Sequence, residues 1–341
     1  MVRAPRKSAS RKGSCGSTVV RTPAMIVART TPSPLDDILQ RAKALPPVDA
    51  AVVNPYDDLA LGGALTAAKE GLIRPLFVGD EDSIRAVARR SQRFPPDMRI
   101  ANASPGAEAA AAVQLAADGT VAMLIKGNVH SDVLLREVLD QSSPHSQARL
   151  SHVVVTELPG RSTPLFLSDG AVAIAPTLDE KAQIVQNAVD LARRLGIDIP
   201  RVALLAAVET VVSTMRATLD AAALTEMAKR GQICGGIVDG PLALDDAISV
   251  RAARAKELQS PVAGCADILI SPDLEAGNIL YKAFDVLLGA RFGAVVTGAL
   301  VPMVFTSRGD SVESRVLSTA LARLLVEEIP CPSKQKSKAT A

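Results

Sequence analysis

The chain has 341 residues, a length that exceeds one average domain and suits two compact α/β domains sharing a cleft. Its hydrophobic fraction is 48%, but it contains only six Phe, two Tyr and no Trp, so side chains that stack on single-stranded nucleic acid are nearly lacking. Residues 1–35 and 333–341 hold ten of the 38 Lys and Arg and no acid. This leaves a net charge of about −8 on residues 36–332, which argues against a nucleic-acid partner.

The N-terminal segment and the cysteines help to predict the cellular location of the protein. The first 24 residues are rich in Arg, Lys, Ser and Thr without a clear amphipathic pattern, which favours a disordered extension or an upstream start before Met25 over a transit peptide. Cys15, Cys234, Cys265 and Cys331 are widely spaced, which predicts free thiols and no zinc site. No apolar run approaches the roughly 20 residues needed to span a bilayer. We therefore predict a cytoplasmic protein without membrane contact.

Strands and helices alternate along the rest of the sequence. Helices are predicted at 35–45, 58–71, 80–93, 105–118, 131–140, 178–195, 218–230, 244–258, 275–288 and 311–328. Strands are predicted at 49–53, 75–79, 120–126, 153–156, 165–168, 201–208, 267–270, 293–297 and 301–306, with a loop at 235–241. Because the strands before residue 141 are continuous apolar runs between amphipathic helices, the pattern of this first block predicts a parallel sheet covered on both faces.

The first candidate site is the segment from Val301 to Ser311. A buried strand delivers Ser307 and Arg308 to its carboxyl end, where ligand groups gather in open α/β sheets. The amide groups at the start of the next helix favour an anion, and Arg308 adds a bidentate fork that matches phosphate. The pattern predicts a phosphate site, although a capping Ser311 and a solvated arginine would give the same string.

A second candidate site follows the strand that ends in Lys126. A lysine at a strand end, followed by Gly127 and a polar helix start, again predicts a phosphate pocket. Arg136 on the next helix is near enough in sequence to serve the same anion. The alternative is a surface lysine beside an ordinary turn, and His130 is more typical of a loop histidine than of a base.

The third candidate site runs from Ser271 to Lys282. Asp273 and Glu275 place acids at the start of a helix, which favours the helix dipole without any catalytic role. Asn278 is less easily explained by helix propensity and could point into a cleft.

Taken together, these strings resemble the phosphate acetyl/butyryltransferase family over roughly Leu35 to Leu325. The segments that carry the resemblance are 124–128, 151–153, 184–188, 218–223, 235–242, 271–282 and 306–311. It implies an α/β fold of two doubly wound domains with an interdomain cleft, related to the isocitrate and isopropylmalate dehydrogenases, in a homodimer or higher homo-oligomer. The expected division is a disordered basic extension at 1–34, a first domain at 35–148 plus 299–330, a second domain at 149–298 and a disordered basic tail at 331–341.

The resemblance also implies a reaction, in which acyl-CoA and phosphate give acyl phosphate and CoA. Coenzyme A would be a substrate, and no metal or other cofactor would be needed. By position, Ser307 and Arg308 match the family's active-site Ser-Arg pair. Lys126 matches the lysine typical of the butyryl-like branch, and Arg136 matches an arginine on the helix that follows.

One position departs from the family pattern. Acetyl-specific relatives carry an aspartate six residues after the active-site arginine, where it is proposed as the base for the thiol, and Ser314 stands here instead. Asp310 and Glu313 are the nearby carboxylates, although Glu313 could simply complement the helix dipole. The base assignment therefore stays open. The predicted catalytic residues are Ser307, Arg308, Asp310 and Glu313, and the predicted phosphate- or CoA-binding residues are Lys126, Gly127, Arg136, Asn278 and Ser311.

The predicted mechanism is direct acyl transfer in a ternary complex, with cationic and N–H groups stabilising the developing negative charge. One alternative is a metal-dependent hydroxy-acid dehydrogenase of the related fold, although residues 267–275 lack a convincing carboxylate cluster. Another alternative is an acyl-CoA sensor that has kept the cleft and lost turnover. The acyl group is open among acetyl, propionyl and butyryl.

Overall fold

A computed structural model describes residues 33–92, 97–141 and 149–326. The predicted basic tail and, apart from Ser33 and Pro34, the predicted extension lie outside the described residues. Cys15 and Cys331 lie outside them too. Cys234 and Cys265 are free thiols at the surface.

Eleven helices and eleven strands are described. The helices are α1 (Pro34–Lys43), α2 (Asp58–Lys69), α3 (Glu81–Arg90), α4 (Glu108–Ala117), α5 (Ser131–Gln141), α6 (Leu178–Arg194), α7 (Arg216–Lys229), α8 (Leu244–Ile248), α9 (Val250–Ala255), α10 (Leu274–Leu288) and α11 (Val312–Val326). The strands are β1 (Val48–Val53), β2 (Ile73–Gly79), β3 (Arg99–Asn102), β4 (Met123–Lys126), β5 (Ser151–Glu157), β6 (Leu165–Ser168), β7 (Arg201–Leu205), β8 (Ile237–Leu242), β9 (Ile268–Ile270), β10 (Arg291–Thr297) and β11 (Met303–Val304).

The strands form one sheet in the order β3-β2-β1-β4-β11-β10-β5-β6-β9-β7-β8. The parallel arrangement predicted for the first block is confirmed, because β1 is parallel to β2 and β4. In the middle the sheet is mixed, since β10 is antiparallel to both β11 and β5, and β5 is antiparallel to β6. The remaining neighbours are parallel. A strand buried on both faces shows the same apolar run in either direction, so the sequence pattern did not reveal this reversal.

Alternate residues of each strand enter different cores. Ala50 and Val52 of β1 pack with α1, α2, α3, α6, α7 and α11, which cover one face of the sheet. The other face carries two separate patches, one formed by α4 and α5 and the other by α8 and α10. Ala51 and Val53 belong to the first patch, whereas Val154 of β5 belongs to the second.

Several predicted boundaries were wrong. Residues 237–242, predicted mostly as loop, form β8. Strand β3 was missed because it is short and only its two central residues are apolar. The predicted helix at 244–258 is divided at Ser249, whose hydroxyl accepts the Ala252 amide and starts α9. The predicted strand at 301–306 is shortened to two residues, because only Met303 and Val304 pair with β10.

Side-chain caps explain where the main helices begin. Thr177 and Glu180 form a reciprocal capping box on α6, and Asp57 accepts two amide hydrogens at the start of α2. Asp273 caps α10 by accepting the Ala276 amide, so its place at the helix start has a structural reason. Within the described ranges, no helix combines the length and the apolar character needed to cross a bilayer.

Candidate active site

A cleft of about 420 Å³ opens beside the carboxyl ends of β4 and β11, which are parallel neighbours. Residues from all three predicted loops meet there. The end of β4 contributes Lys126, the loop after β11 contributes Ser307 and Arg308, and α10 contributes Asn278. The other described lining residues are Val129, His130, Ser131, His152, Ala171, Leu274, Tyr281, Lys282, Phe305 and Thr306.

The loop after β11 is closed by the side chain of Asp310. Its carboxylate accepts the Ser307 amide at 2.7 Å, and the Asp310 amide donates to the Ser307 carbonyl at 3.2 Å. Asp310 is buried, whereas Ser307 and Arg308 are exposed to the cleft. Among the described residues, no ion pair occupies the Arg308 guanidinium, so it is available to an anionic ligand.

Arg315 lies beneath the same loop and was missed by the sequence analysis. Its guanidinium donates to Thr306 Oγ1 at 2.8 Å, to the Ser307 carbonyl at 2.9 Å and to the Asp310 carbonyl at 3.4 Å. Gly63 on α2 makes room for it, because a Cβ there would lie 2.8 Å from Arg315 Cδ. A charged residue within the buried, largely apolar stretch of α11 was the available signal.

The loop after β4 is fastened by backbone contacts. The Gly127 amide donates to the Val53 carbonyl at 2.9 Å, and the Asn128 amide donates to the Asn54 carbonyl at 2.7 Å. A Cβ on Gly127 would lie 2.3 Å from the Val53 oxygen, so only glycine fits this close approach. Gly127 therefore has a structural reason that is independent of ligand binding.

Lys126 is buried and its ammonium lies 5.7 Å from the centre of the Phe305 ring. Burial lowers the pKa of Lys126, and the nearby cations Arg315 and Arg308 lower it further, against an opposing effect of Asp310. Cations that repel one another in this way are stabilised by a bound anion. The electrostatics of the cleft therefore favour an anion near Lys126 and Arg308.

The α10 side of the cleft supports the loop after β11. The Tyr281 hydroxyl donates to Asp310 at 3.2 Å, and the Lys282 ammonium reaches Asp310 at 3.4 Å and the Tyr281 oxygen at 3.1 Å. Burial and the charge of Asp310 raise the pKa of Tyr281, so its hydroxyl stays protonated and donates. Asn278 is tied by its amide group to the Gly170 carbonyl at 2.9 Å.

His152 on β5 is a lining residue to which the sequence analysis gave no role. Its ring meets the rings of Tyr281 and Phe305 edge to face, with centroids 6.2 and 6.3 Å away. Its place in the short string Ser151–Val153, one of the family matches, was the only sequence signal.

Five predicted site residues are not among the residues that line the cleft: Gly127 and Asp310, described above, and Glu313, Arg136 and Ser311. The Glu313 carboxylate accepts a hydrogen bond from Arg291 at 2.7 Å on the surface. Arg136 is exposed on α5. Ser311 accepts the Ser314 amide at 3.0 Å and thereby caps α11. Their proposed roles in catalysis or binding stay predictions.

Comparison with known proteins identifies the family. Residues 75–323, more than half of the chain, match the family described as phosphate acetyl/butaryl transferase. The phosphate acetyltransferase of Rhizobium meliloti is 46% identical over 295 residues, which cover 86% of this chain and 93% of that protein. The chain belongs to the phosphate acetyl/butyryltransferase family.

Solved structures agree with this membership of the transferase family. A branched-chain phosphotransacylase from Enterococcus faecalis V583 superposes with a TM-score of 0.71 at 31% identity, covering 83% of this chain and 100% of that one. A 4-hydroxythreonine-4-phosphate dehydrogenase from Klebsiella pneumoniae has a TM-score of 0.50 at 14% identity, covering 83% and 100% of the two chains. The predicted α/β fold, related to that of dehydrogenases, is therefore confirmed. Membership of the transferase family contradicts the alternative hypothesis that the chain is a metal-dependent dehydrogenase.

Proposed function

We propose that this chain transfers a short acyl group between coenzyme A and inorganic phosphate by direct attack within a ternary complex. The observation that carries the proposal is the meeting of Lys126, Ser307 and Arg308 at one cleft, in a chain of the phosphate acetyl/butyryltransferase family. Two cations and a hydroxyl suit the transferred phosphate.

In this proposal, the side chains of Arg308 and Lys126 bind the phosphate. Arg308 offers a planar fork that can donate two hydrogen bonds to one phosphate, while Lys126 adds a compact charge from the neighbouring strand end. Because burial lowers the pKa of Lys126, a phosphate beside it restores the preference for the charged ammonium.

Catalysis follows from where the negative charge grows. Attack of the sulfur on the acyl carbon puts charge on the carbonyl oxygen and then on the departing phosphate. Ser307 and Arg308 can donate to these oxygens, and hydrogen bonds with Asp310 and Arg315 hold their loop in place within the protein. Donors fixed in this way need no rearrangement during the reaction, which is usually the largest single contribution to catalysis.

The acyl group has an apolar part of the cleft available to it. Val129, Ala171, Leu274 and Phe305 line the same space as the cations. A short aliphatic chain can pack against them while its carbonyl faces Ser307. Acetyl, propionyl and butyryl groups all remain candidates, with the butyryl-like branch favoured by Lys126.

The proposal includes the predicted cytoplasmic location, two-domain division and homo-oligomeric state. The outer side of α10 exposes Ile279, Val286 and Leu287, at 70%, 72% and 79%. An apolar surface of this kind supports association of two copies of the chain.

The opening of the cleft to solvent leaves room for the long CoA substrate beside it.

The test measures thiol release from acetyl-, propionyl- and butyryl-CoA, with and without phosphate. Wild type should release CoA only when phosphate is present, and the preferred chain length follows from the three values of kcat/KM. Arg308→Ala should lower kcat/KM about 10²–10³-fold, as removal of one donor to a developing charge does in other enzymes. The matched control is Arg230→Ala, because Arg230 is an exposed cation paired with Glu226 on α7.

Either of two results would contradict the proposal. One is wild-type protein that binds CoA but shows no phosphate-dependent release with any of the three substrates, which would favour the acyl-CoA sensor. The other is Arg308→Ala with activity within twofold of wild type.

A further inference from the structure

The cleft lacks an evident base for the thiol. Among its described lining residues there is no Asp or Glu. Asp310 lies behind the loop, with its carboxylate occupied by the Ser307 amide, the Tyr281 hydroxyl and the Lys282 ammonium. A free thiol has a pKa of about 8.5, so at neutral pH most of the CoA must lose a proton before its sulfur attacks.

His152 has the properties that such a base needs. It lines the cleft and is 2% exposed, yet its Nδ1 atom has no hydrogen-bond partner within the described ranges. Buried polar groups are nearly always paired, and an unpaired one costs about 1–3 kcal/mol. A histidine kept only for packing would normally have both nitrogens satisfied. The unpaired nitrogen therefore leaves His152, a lining residue of the cleft, with a hydrogen-bonding capacity that no described protein group uses.

The surroundings keep this imidazole neutral. Burial lowers the pKa of His152 and the positive charge of Lys282 acts in the same direction, against Asp169, Asp310 and a hydrogen bond with the Phe305 backbone. A neutral imidazole at neutral pH can accept a proton. The titratable and charged groups that face it are Asp169 after β6, Tyr281 and Lys282 of α10, and Asp310 after β11.

We infer that His152 is the general base that takes the proton from the CoA thiol. The inference rests on the proposed acyl transfer. In the direction from acyl phosphate, the thiol proton passes to an imidazole nitrogen as the sulfur lone pair forms the C–S bond. The bond from the acyl carbon to the phosphate oxygen then breaks, and phosphate leaves with that electron pair. In the reverse direction, the imidazolium returns the proton to the departing thiolate.

A base that faces both acidic and basic side chains fits the charge changes of this step. When His152 becomes positive, the sulfur has lost a proton and the phosphate gains electron density, so the new charge is balanced within the cleft. His130, the other described histidine on the cleft, is exposed at the start of α5 and is solvated. His130 therefore serves as the matched control.

The experiment follows acyl phosphate plus CoA as a function of pH for wild type, His152→Gln, His130→Gln and Asp310→Asn. His152→Gln should lose about 10²–10⁴-fold in kcat near pH 7, the usual contribution of general acid–base catalysis. Its rate should then rise steadily towards the pKa of the free thiol, because only thiolate formed in solution reacts. His130→Gln should keep the wild-type profile. Asp310→Asn should keep the shape of the profile but move it to lower pH, because the charge of Asp310 that raises the pKa of His152 is gone.

A second variant separates catalysis from packing. His152→Ala should regain activity when imidazole is added to the assay, while the affinity of each folded variant for phosphate, measured by calorimetry, should stay within threefold of wild type. Wild-type activity with an unchanged profile in His152→Gln would overturn this inference alone, as would loss of the ionisation in Asp310→Asn instead. A fall in rate without a change of profile or rescue would also overturn it. Wild type without any exchange would overturn the proposed function, and the inference with it.

Discussion

Arg315, beneath the loop after β11, and Arg291, at the start of β10, each connect several segments of the chain but have different partners. Arg315 is buried and donates to one hydroxyl and two carbonyl oxygens. Arg291 is partly exposed and pairs with the carboxylates of Asp36, Glu157 and Glu313. One arginine orders a functional loop, and the other joins α1, β5 and α11.

The difference lies in where the positive charge is compensated. Three carboxylates surround Arg291, so its charge is neutralised locally and contributes little to the cleft. Arg315 makes its hydrogen bonds with neutral oxygens, and its charge still lowers the pKa of Lys126 beside the cleft. A network of neutral acceptors thus orders the loop while leaving positive charge for a ligand, whereas a network of ion pairs fastens elements together.

Among replacements of Arg315, Asp310 and Glu313, that of Arg315 should have the largest effect on both activity and stability. Arg315→Met keeps the apolar stem but leaves buried acceptors unpaired, which should lower the free energy of unfolding by about 3 kcal/mol. The loop carrying Arg308 would also lose its support, and misplacement by about 1 Å can cost 10²-fold in rate. Denaturant unfolding and steady-state kinetics measure the two effects.

The matched control for this variant is Arg323→Met. Arg323 is also buried on α11, and it donates to the Pro46 carbonyl at 3.0 Å, away from the cleft lining. It should lose stability and retain kcat. If both variants lost kcat equally, the special role given to Arg315 would be wrong.

Asp310→Asn should have an intermediate effect. The neutral amide has the same size as the carboxylate but only one acceptor oxygen. The Asp310 carboxylate accepts hydrogen bonds from Ser307, Tyr281 and Lys282 with its two oxygens. We expect a loss of about 10-fold in kcat/KM and about 1–2 kcal/mol in the free energy of unfolding. Full activity in this variant would mean that the loop is ordered without the charge.

Glu313→Gln should have the smallest effect. Its carboxylate is exposed and is one of three that pair with Arg291, so its removal should cost at most about 1 kcal/mol and leave kcat within twofold. Thermal unfolding at low and high salt checks the ionic origin of the loss. A variant with strongly reduced kcat and normal stability would restore Glu313 as a candidate catalytic group.

Most of the fold was predictable because apolar strands and capped helices are local patterns. The start of α6 follows from Thr177 and Glu180, and β1 follows from a run of Ala and Val. The reversal of β10 was not predictable, because strand direction depends on partners far along the chain. The same limit applied to β8, whose Gly and Pro are typical of a loop.

The site was predicted where the relevant residues follow strand ends. Lys126, Ser307 and Arg308 have that local context, and Asn278 was found as an unusual residue in a helix. Arg315 and His152 were missed because their roles depend on burial against distant segments. In sequence, Arg315 is an ordinary helical arginine. The structure shows that its side chain packs against Gly63, where a Cβ atom would clash with it.

The pairing of β11 with β4 also determines when the site can be completed as the chain is synthesised. Arg308 follows Lys126 by 182 positions, and its loop rests on a helix made even later. A nascent chain can fold β1 to β4 early, but its anion site stays half-built until β11 arrives between two strands already made. A chain that ends before β11 therefore lacks the Ser307 and Arg308 half of the proposed anion site.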